Sequence, residues 1–255
     1  MINARTVSLI IPARNEAASI AKMLKAVPGF IDEVIVVDNC SSDETAKVAK
    51  ANGAKVIVER RKDSRGIGYG YAHISGIRAA KGDIIVAMDA DGTYPLNEIS
   101  HTIGFMAERD LDFVSGRRFP LKTKTVISKI RQFGVWILNT ETRIFYGYPI
   151  KDILSGMWVM NRKAAQRLNL QEGGWDLSPE IKIKAIIDRG INFAEYHINH
   201  HYRLENKSKQ KIWETGFSHF MYIFARWLTV DGSLAKAALS LNSFLAGRLP
   251  KLAFR

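Results

Sequence analysis

Asp89-Ala90-Asp91 follows an apolar run ending at Met88 and precedes Gly92-Thr93-Tyr94-Pro95, so two carboxylates meet where a strand ends and a Pro-led helix begins. In open α/β sheets ligands bind at the carboxyl ends of the strands. An Asp-x-Asp pair there suits a hard divalent cation, Mg²⁺ or Mn²⁺, that also holds phosphate oxygens. Capping the following helix is the other use of an Asp in this place. A cap needs only one carboxylate, so the pair favours a metal.

Three more loops bear polar groups at the same kind of boundary: Pro12-Ala13-Arg14-Asn15-Glu16, Asp38-Asn39-Cys40-Ser41-Ser42-Asp43 and Ser115-Gly116-Arg117-Arg118. Taken singly, each fits turn and cap chemistry. Together they point to one site at one sheet edge. β-branched runs predict strands over 6–11, 33–37, 55–58, 83–88 and 112–115. Apolar residues at three- and four-residue steps predict helices over 16–26, 43–52, 70–80 and 95–108. That alternation specifies an α/β fold with a doubly wound, mostly parallel sheet flanked by helices. A strand over 157–160, helices over 162–168 and 179–189 and a last strand over 192–197 complete a domain expected to span 1–206. Residues 207–255 are expected to form a C-terminal amphipathic helical extension, in which Trp213, Phe217, Phe220, Phe224 and Trp227 make one aromatic face.

The turn Arg65-Gly66-Ile67-Gly68-Tyr69-Gly70 does not emerge directly from the first strand, so it lacks the context of a dinucleotide-binding fingerprint. Because it feeds a helix, it can still aim backbone N–H groups at a phosphate.

Lys and Arg number 37 against 25 Asp and Glu, and the net charge of +12 calls for an anionic partner. A lipid headgroup, a phosphorylated small molecule and nucleic acid all answer to that. No recognised nucleic-acid-binding motif is present, and acidic strand-end loops would repel phosphate without a metal, so nucleic acid is disfavoured. The single Cys40 excludes an internal disulfide framework and a Cys-built zinc site, and agrees with a reducing compartment. The first residues run straight into a strand without a signal-peptide core, and no stretch approaches the roughly 20 apolar residues of a spanning helix. The basic, aromatic segments 122–147 and 207–228 can lie among lipid headgroups, which predicts a cytoplasmic protein held peripherally at the membrane's cytoplasmic face. Burial against the core or in a homodimer is the other use of such helices.

Val7 to Glu16, Val36 to Thr45, Gly76 to Asp83 and Met88 to Gly92, in that order, resemble the motifs of the family-2 inverting glycosyltransferases with the GT-A fold. The resemblance covers about the first 205 residues and is nearest to the polyprenyl-phosphate mannosyl- and glucosyltransferases, the dolichol-phosphate mannose synthase type. It implies a nucleotide-sugar donor and a polyprenyl-phosphate acceptor. Pro12, Ala13, Arg14 and Glu16 would line the nucleotide pocket, with Asp38 near base or ribose and Arg65 and Gly66 beside the donor. Asp89, Ala90 and Asp91 would serve the diphosphate, the two Asp through Mg²⁺ or Mn²⁺. Asp152-Ile153-Leu154-Ser155-Gly156 resembles the acceptor segment, and Arg117 and Arg131 match positions that hold the acceptor phosphate. Arg203, with Lys207, Ser208 and Lys209, resembles a late basic segment that closes over the donor. Asn39 stands where many relatives have Asp, Arg14 where an aromatic is frequent, and Thr93 where mannose synthases carry a metal-binding Gln. GDP and UDP donors, and mannose and glucose, therefore stay open.

Displacing a nucleoside diphosphate requires neutralising the leaving group, which a cation on Asp89 and Asp91 supplies. An acceptor phosphate is already anionic and needs no strong general base. An acceptor hydroxyl would need a carboxylate, for which Asp152 is nearest.

Overall fold

The computed structural model describes residues 4–121, 127–201 and 210–230. Within them a seven-stranded sheet is built from β1 (Val7–Ala13), β2 (Glu33–Asp38), β3 (Lys55–Val58), β4 (Ile84–Ala87), β5 (Phe113–Arg117), β6 (Trp158–Asn161) and β7 (Phe193–His197), in the order β3-β2-β1-β4-β6-β5-β7. Every neighbouring pair is parallel except the two made by β6, which runs against both β4 and β5. The C-terminal ends of β1, β2, β4 and β5 therefore share one edge, as the strand-end loops require.

Alternation along the strands gives the sheet two apolar faces. Leu9, Ile11, Val36, Ile84 and Val86 point to the face covered by α1 (Ala17–Lys25), α2 (Thr45–Ala51) and α4 (Glu98–Glu108). Ile10, Ile35, Val37, Ile85 and Ala87 point to the face covered by α3 (Tyr69–Ala79), α6 (Arg162–Arg167) and α7 (Leu177–Ile187). Strands buried on both sides read as continuous apolar runs, which explains why their positions are plain in the sequence.

A third cluster lies off the sheet. Leu138 of α5 (Lys129–Tyr146), Ile150, Ile153, Ile183 of α7 and Ile223 of α8 (Ile212–Val230) are buried together. Phe145 of α5 stacks on Trp227 at 4.6 Å between ring centres and packs near Phe224. The expected single aromatic face of α8 is thus divided. Phe224 and Trp227 lie against α5, whereas Trp213 and Phe217 stay bare, and the fully inward positions are Thr215, His219 and Ile223. The inner face is part polar because it meets a carboxylate, described below.

Candidate active site

The loops after β1 and β2 are closed by short-range bonds. Asn39 N–H donates to the Ala13 carbonyl at 2.9 Å, extending the β1–β2 pairing past the strand ends. Asn15 N–H donates to Ser41 Oγ and Glu16 N–H to Thr45 Oγ1, both at 2.9 Å, which joins the first loop to the second. Pro12, Ala13, Glu16 and Asp38 are buried at this seam and Arg14 is exposed. The Asp38 carboxylate accepts long bonds from Ser41 N–H, at 3.3 and 3.4 Å.

The glycine-rich turn differs from its expected use as a phosphate cradle. The N–H groups of Arg65 and Ile67 go to Asp63 Oδ1, that of Gly66 to the Asp63 carbonyl, and those of Gly70 and Tyr71 to the Gly173 carbonyl. These donors are consumed by the protein. Gly68 and Gly70 answer instead to close packing, since a Cβ at Gly70 would lie 2.0 Å from the Glu172 carbonyl oxygen and one at Gly68 2.4 Å from Asn39 Nδ2, whereas Gly66 supplies the left-handed φ of +76°.

At the end of β4 the two carboxylates have different settings. Asp91 is buried, and its Oδ1 accepts Thr93 N–H at 3.0 Å and Thr93 Oγ1 at 2.7 Å, closing the turn locally. It does not cap α4, which begins further on at Glu98 behind Asn97. Asp89 is half-buried and accepts Tyr69 Oη at 3.0 Å, with His73 Nε2 at 3.9 Å from the same oxygen. Burial, then the charge of Asp89, pushes the Tyr69 phenol well above its ordinary pKa, and burial lowers that of His73. A Cβ at Gly156 would come within 3.0 Å of Asp89 Oδ2, so the missing side chain leaves that oxygen room. Among the described residues no three His, Cys, Asp or Glu side chains converge on a metal-sized position. Two carboxylate groups at a strand end still fit a hard cation whose remaining oxygens come from a ligand.

The segment 151–156, expected from the sequence to serve the acceptor, is held by buried charge. Arg118 donates through Nε and Nη2 to Asp152 at 2.8 and 2.9 Å, and Arg118 N–H adds a third bond at 2.9 Å. Burial opposes the charged form of Asp152, yet Arg118 holds its pKa below the usual carboxylate value. Glu195 of β7 accepts the N–H groups of Lys151 and Asp152 at 2.8 and 2.9 Å, and burial pushes it up to about 7. Lys182 of α7, fully buried, donates to the carbonyls of Ile153, Ser155 and Ser178 at 2.9, 2.7 and 3.2 Å. Burial brings it down to about 7 against the pull of Asp152. The Ser155 hydroxyl is also buried and donates to the Gly116 carbonyl. Asn139 of α5 completes the frame, donating to the Lys151 carbonyl at 2.7 Å and accepting Ile153 N–H at 2.9 Å.

Residues 8–168 match the family described as Glycosyl transferase family 2. This chain belongs to that family. It is 27% identical over 227 residues to a low-salt glycan biosynthesis hexosyltransferase of Haloferax volcanii, covering 86% of this chain and 53% of that one, so it spans about half the relative's length. It is 26% identical over 191 residues to a dolichyl-phosphate hexose transferase of the same organism, covering 74% of this chain and 79% of that one. Among solved structures, glucosyl-3-phosphoglycerate synthase from Mycobacterium tuberculosis in complex with Mn²⁺, UDP and glucosyl-3-phosphoglycerate superposes with a TM-score of 0.70 at 21% identity, covering 88% of this chain and 80% of that one. The fold is the GT-A type expected from the sequence.

The structure of this glycosyltransferase sets the residues singled out at the ends of β1, β2, β4 and β5 on one sheet edge, with differences in how some side chains are used. Asp152 and Ser155 are wholly buried, so they shape the 151–156 segment from within. Arg117 ends β5 and donates to the Phe119 carbonyl, while its neighbour Arg118 carries the buried ion pair. Arg131 is half-buried in the first turns of α5. Arg203, Lys207, Ser208 and Lys209 lie outside the described residues. Tyr69, His73 and Lys182 were missed because a lone Tyr, His or Lys on an apolar helix carries no local signal of the carboxylate or carbonyls it will meet.

Proposed function

We propose that this glycosyltransferase moves a hexose, mannose or glucose, from a GDP- or UDP-linked donor to the phosphate of a polyprenyl or dolichyl lipid, by one in-line displacement with inversion at the sugar carbon. Asp89 and Asp91 would hold Mg²⁺ or Mn²⁺, which when bound neutralises charge on the departing diphosphate. Pro12, Ala13, Glu16 and Asp38 shape the nucleotide pocket, with Arg65 beside it. Arg117 and Arg131 offer guanidinium forks to the acceptor phosphate. With Asp152 committed to Arg118, no free carboxylate serves as a base on that segment, which suits an acceptor that is already an anion.

One observation carries the lipid reading. The helices that grip the site also bear bare aromatic residues: α5 holds Lys151 and Ile153 through Asn139 and exposes Phe133 and Trp136 at 59% and 61%, and α8 exposes Trp213 and Phe217 at 77% and 68%. No described helix is long and apolar enough to cross a membrane. Aromatic faces beside basic residues bind headgroups, more tightly with anionic lipid and less with salt. The dolichyl-phosphate substrate in a relative's name agrees.

Labelled GDP- and UDP-hexoses, offered with Mn²⁺ and vesicles containing polyprenyl phosphate, test the transfer. Label in the organic-extractable lipid is expected. Label appearing on free sugars instead would remove the lipid acceptor and keep the donor half. Replacing Trp213 and Phe217 together with Ser should weaken vesicle flotation about tenfold or more, given the apolar area lost. Equal flotation of variant and parent would remove the membrane role of α8.

A further inference from the structure

Asp176 opens α7, yet its carboxylate makes no bond to that helix. It faces the other way. Its Oδ1 accepts His219 Nδ1 at 2.8 Å, and its Oδ2 accepts Ser218 Oγ and Arg65 Nη2, each at 2.7 Å. Arg65 Nη1 in turn donates to Ser218 Oγ, and Arg65 Nε donates to Asp63 Oδ2 at 3.0 Å. One carboxylate thus ties the 63–67 turn to α8, across more than 150 positions of chain. Asp176 and His219 are buried at 6% and 2% exposure, whereas the Arg65 side chain keeps 37% and lines a groove of about 460 Å³ with Phe217, Met221 and Tyr222. Burial opposes the charge on Asp176, but His219, Ser218 and Arg65 together keep its pKa low.

We infer that α8 is a working part of the donor side: through Asp176, His219 and Ser218 position Arg65, and this tie adds to the Asp63 bonds that hold the 63–67 turn. This rests on the reading of Arg65 as a donor-side residue. A long, flexible Arg that must be ordered on ligand arrival costs binding free energy, and one already fixed by a buried carboxylate does not. His219 and Asp176 are positioning residues: His219 is not part of the groove lining, and Asp176, at the groove's edge, is taken up by bonds to His219, Ser218 and Arg65. His219 has a further consequence for the turn. Removing it leaves Asp176 buried with one donor fewer, so Arg65 is drawn inward or the turn loosens.

Two measurements on the full chain test this. Hydrogen exchange across residues 61–70 should accelerate in His219→Ala and return towards the parent in His219→Asn, which can still donate to Asp176. Donor titrations with UDP- and GDP-hexose should show His219→Ala and Arg65→Ala each raising the Kd about tenfold, the worth of one charge-assisted hydrogen bond. The double variant should be no worse than Arg65→Ala alone, because both changes break the same path. The KM for acceptor should change much less than that for donor. Unchanged exchange in His219→Ala overturns the coupling. Accelerated exchange with donor affinity unchanged in Arg65→Ala leaves the coupling and overturns the donor role of Arg65, and the inference with it. Effects that multiply in the double variant would also overturn it, since His219 would then act by another route.

Discussion

The two halves of the site are built from different materials. The side proposed for the donor joins the loops after β1 and β2 by backbone and hydroxyl bonds, such as Asn39 to Ala13 and Glu16 to Thr45, and adds the charged tie of Arg65 to Asp176 at its margin. The side proposed for the acceptor sets Asp152 and Lys182 in the interior, with Arg118 and Glu195 half-buried beside them, and locks one segment between four elements with their charges. Neutral loop bonds are individually weak, and each can be lost at small cost. A buried ion pair is different: its removal as a pair is tolerated, but the loss of one partner strands a charge. The loops after β1 and β2 are therefore expected to fail by losing function, and the segment held by Arg118 and Asp152 by losing its fold.

Arg118→Ala is the strongest test of that contrast. It leaves Asp152 buried without its guanidinium and should cost about 3–5 kcal/mol in urea unfolding. Arg118→Met with Asp152→Leu should recover much of the loss. A single variant as stable as the parent would erase the distinction.

Asp91→Asn probes the other side. Asn still accepts from Thr93, so the melting temperature should hold, while transfer falls roughly 10²–10³-fold as one anionic ligand is lost. Full activity in metal-replete buffer would exclude Asp91 as a metal ligand.

Glu141 of α5 gives the smallest and most sharply signed effect. It is buried, neither oxygen has a hydrogen-bond partner among the described residues, and burial pushes its pKa from 4.5 to about 8. Between those values the folded protein holds a proton that the unfolded chain has released, so stability falls as pH rises from about 4.5 through about 8 and levels off above. Glu141→Gln removes that loss and should stabilise by about 1–2 kcal/mol at pH 9, with little change near pH 4. A variant whose gain does not depend on pH would show that Glu141 finds a partner.

What the sequence discloses follows the same division. All seven strands and the shared edge are legible, because each apolar run and each strand-end loop is local. The direction of β6 is not, since Trp158 to Asn161 reads alike in either sense and only its pairing with Ala87 to Ile84 decides. Arg117 and Arg118 are indistinguishable as neighbours in a sequence, and one side chain turns inward only because Asp152, 34 positions on, is there to receive it. The aromatic periodicity of α8 is plain, but periodicity does not say which part of a stripe will be covered. Its inner face is set by Asp176, a residue of another helix.

The late, reversed entry of β6 bears on how the chain is made. β1, β2 and β3 find partners within a few tens of residues, so that side of the sheet can close early in synthesis. β4 pairs with β1 on one side, but its other edge, Ile84-Ile85-Val86-Ala87, has no partner until residues 158–161 emerge. Until then the nascent chain carries an apolar strand with an open hydrogen-bonding edge, the feature by which partly folded chains add to one another. Chains stopped short of Trp158 should therefore collect in aggregates, whereas chains released just after β6 should stay dispersed.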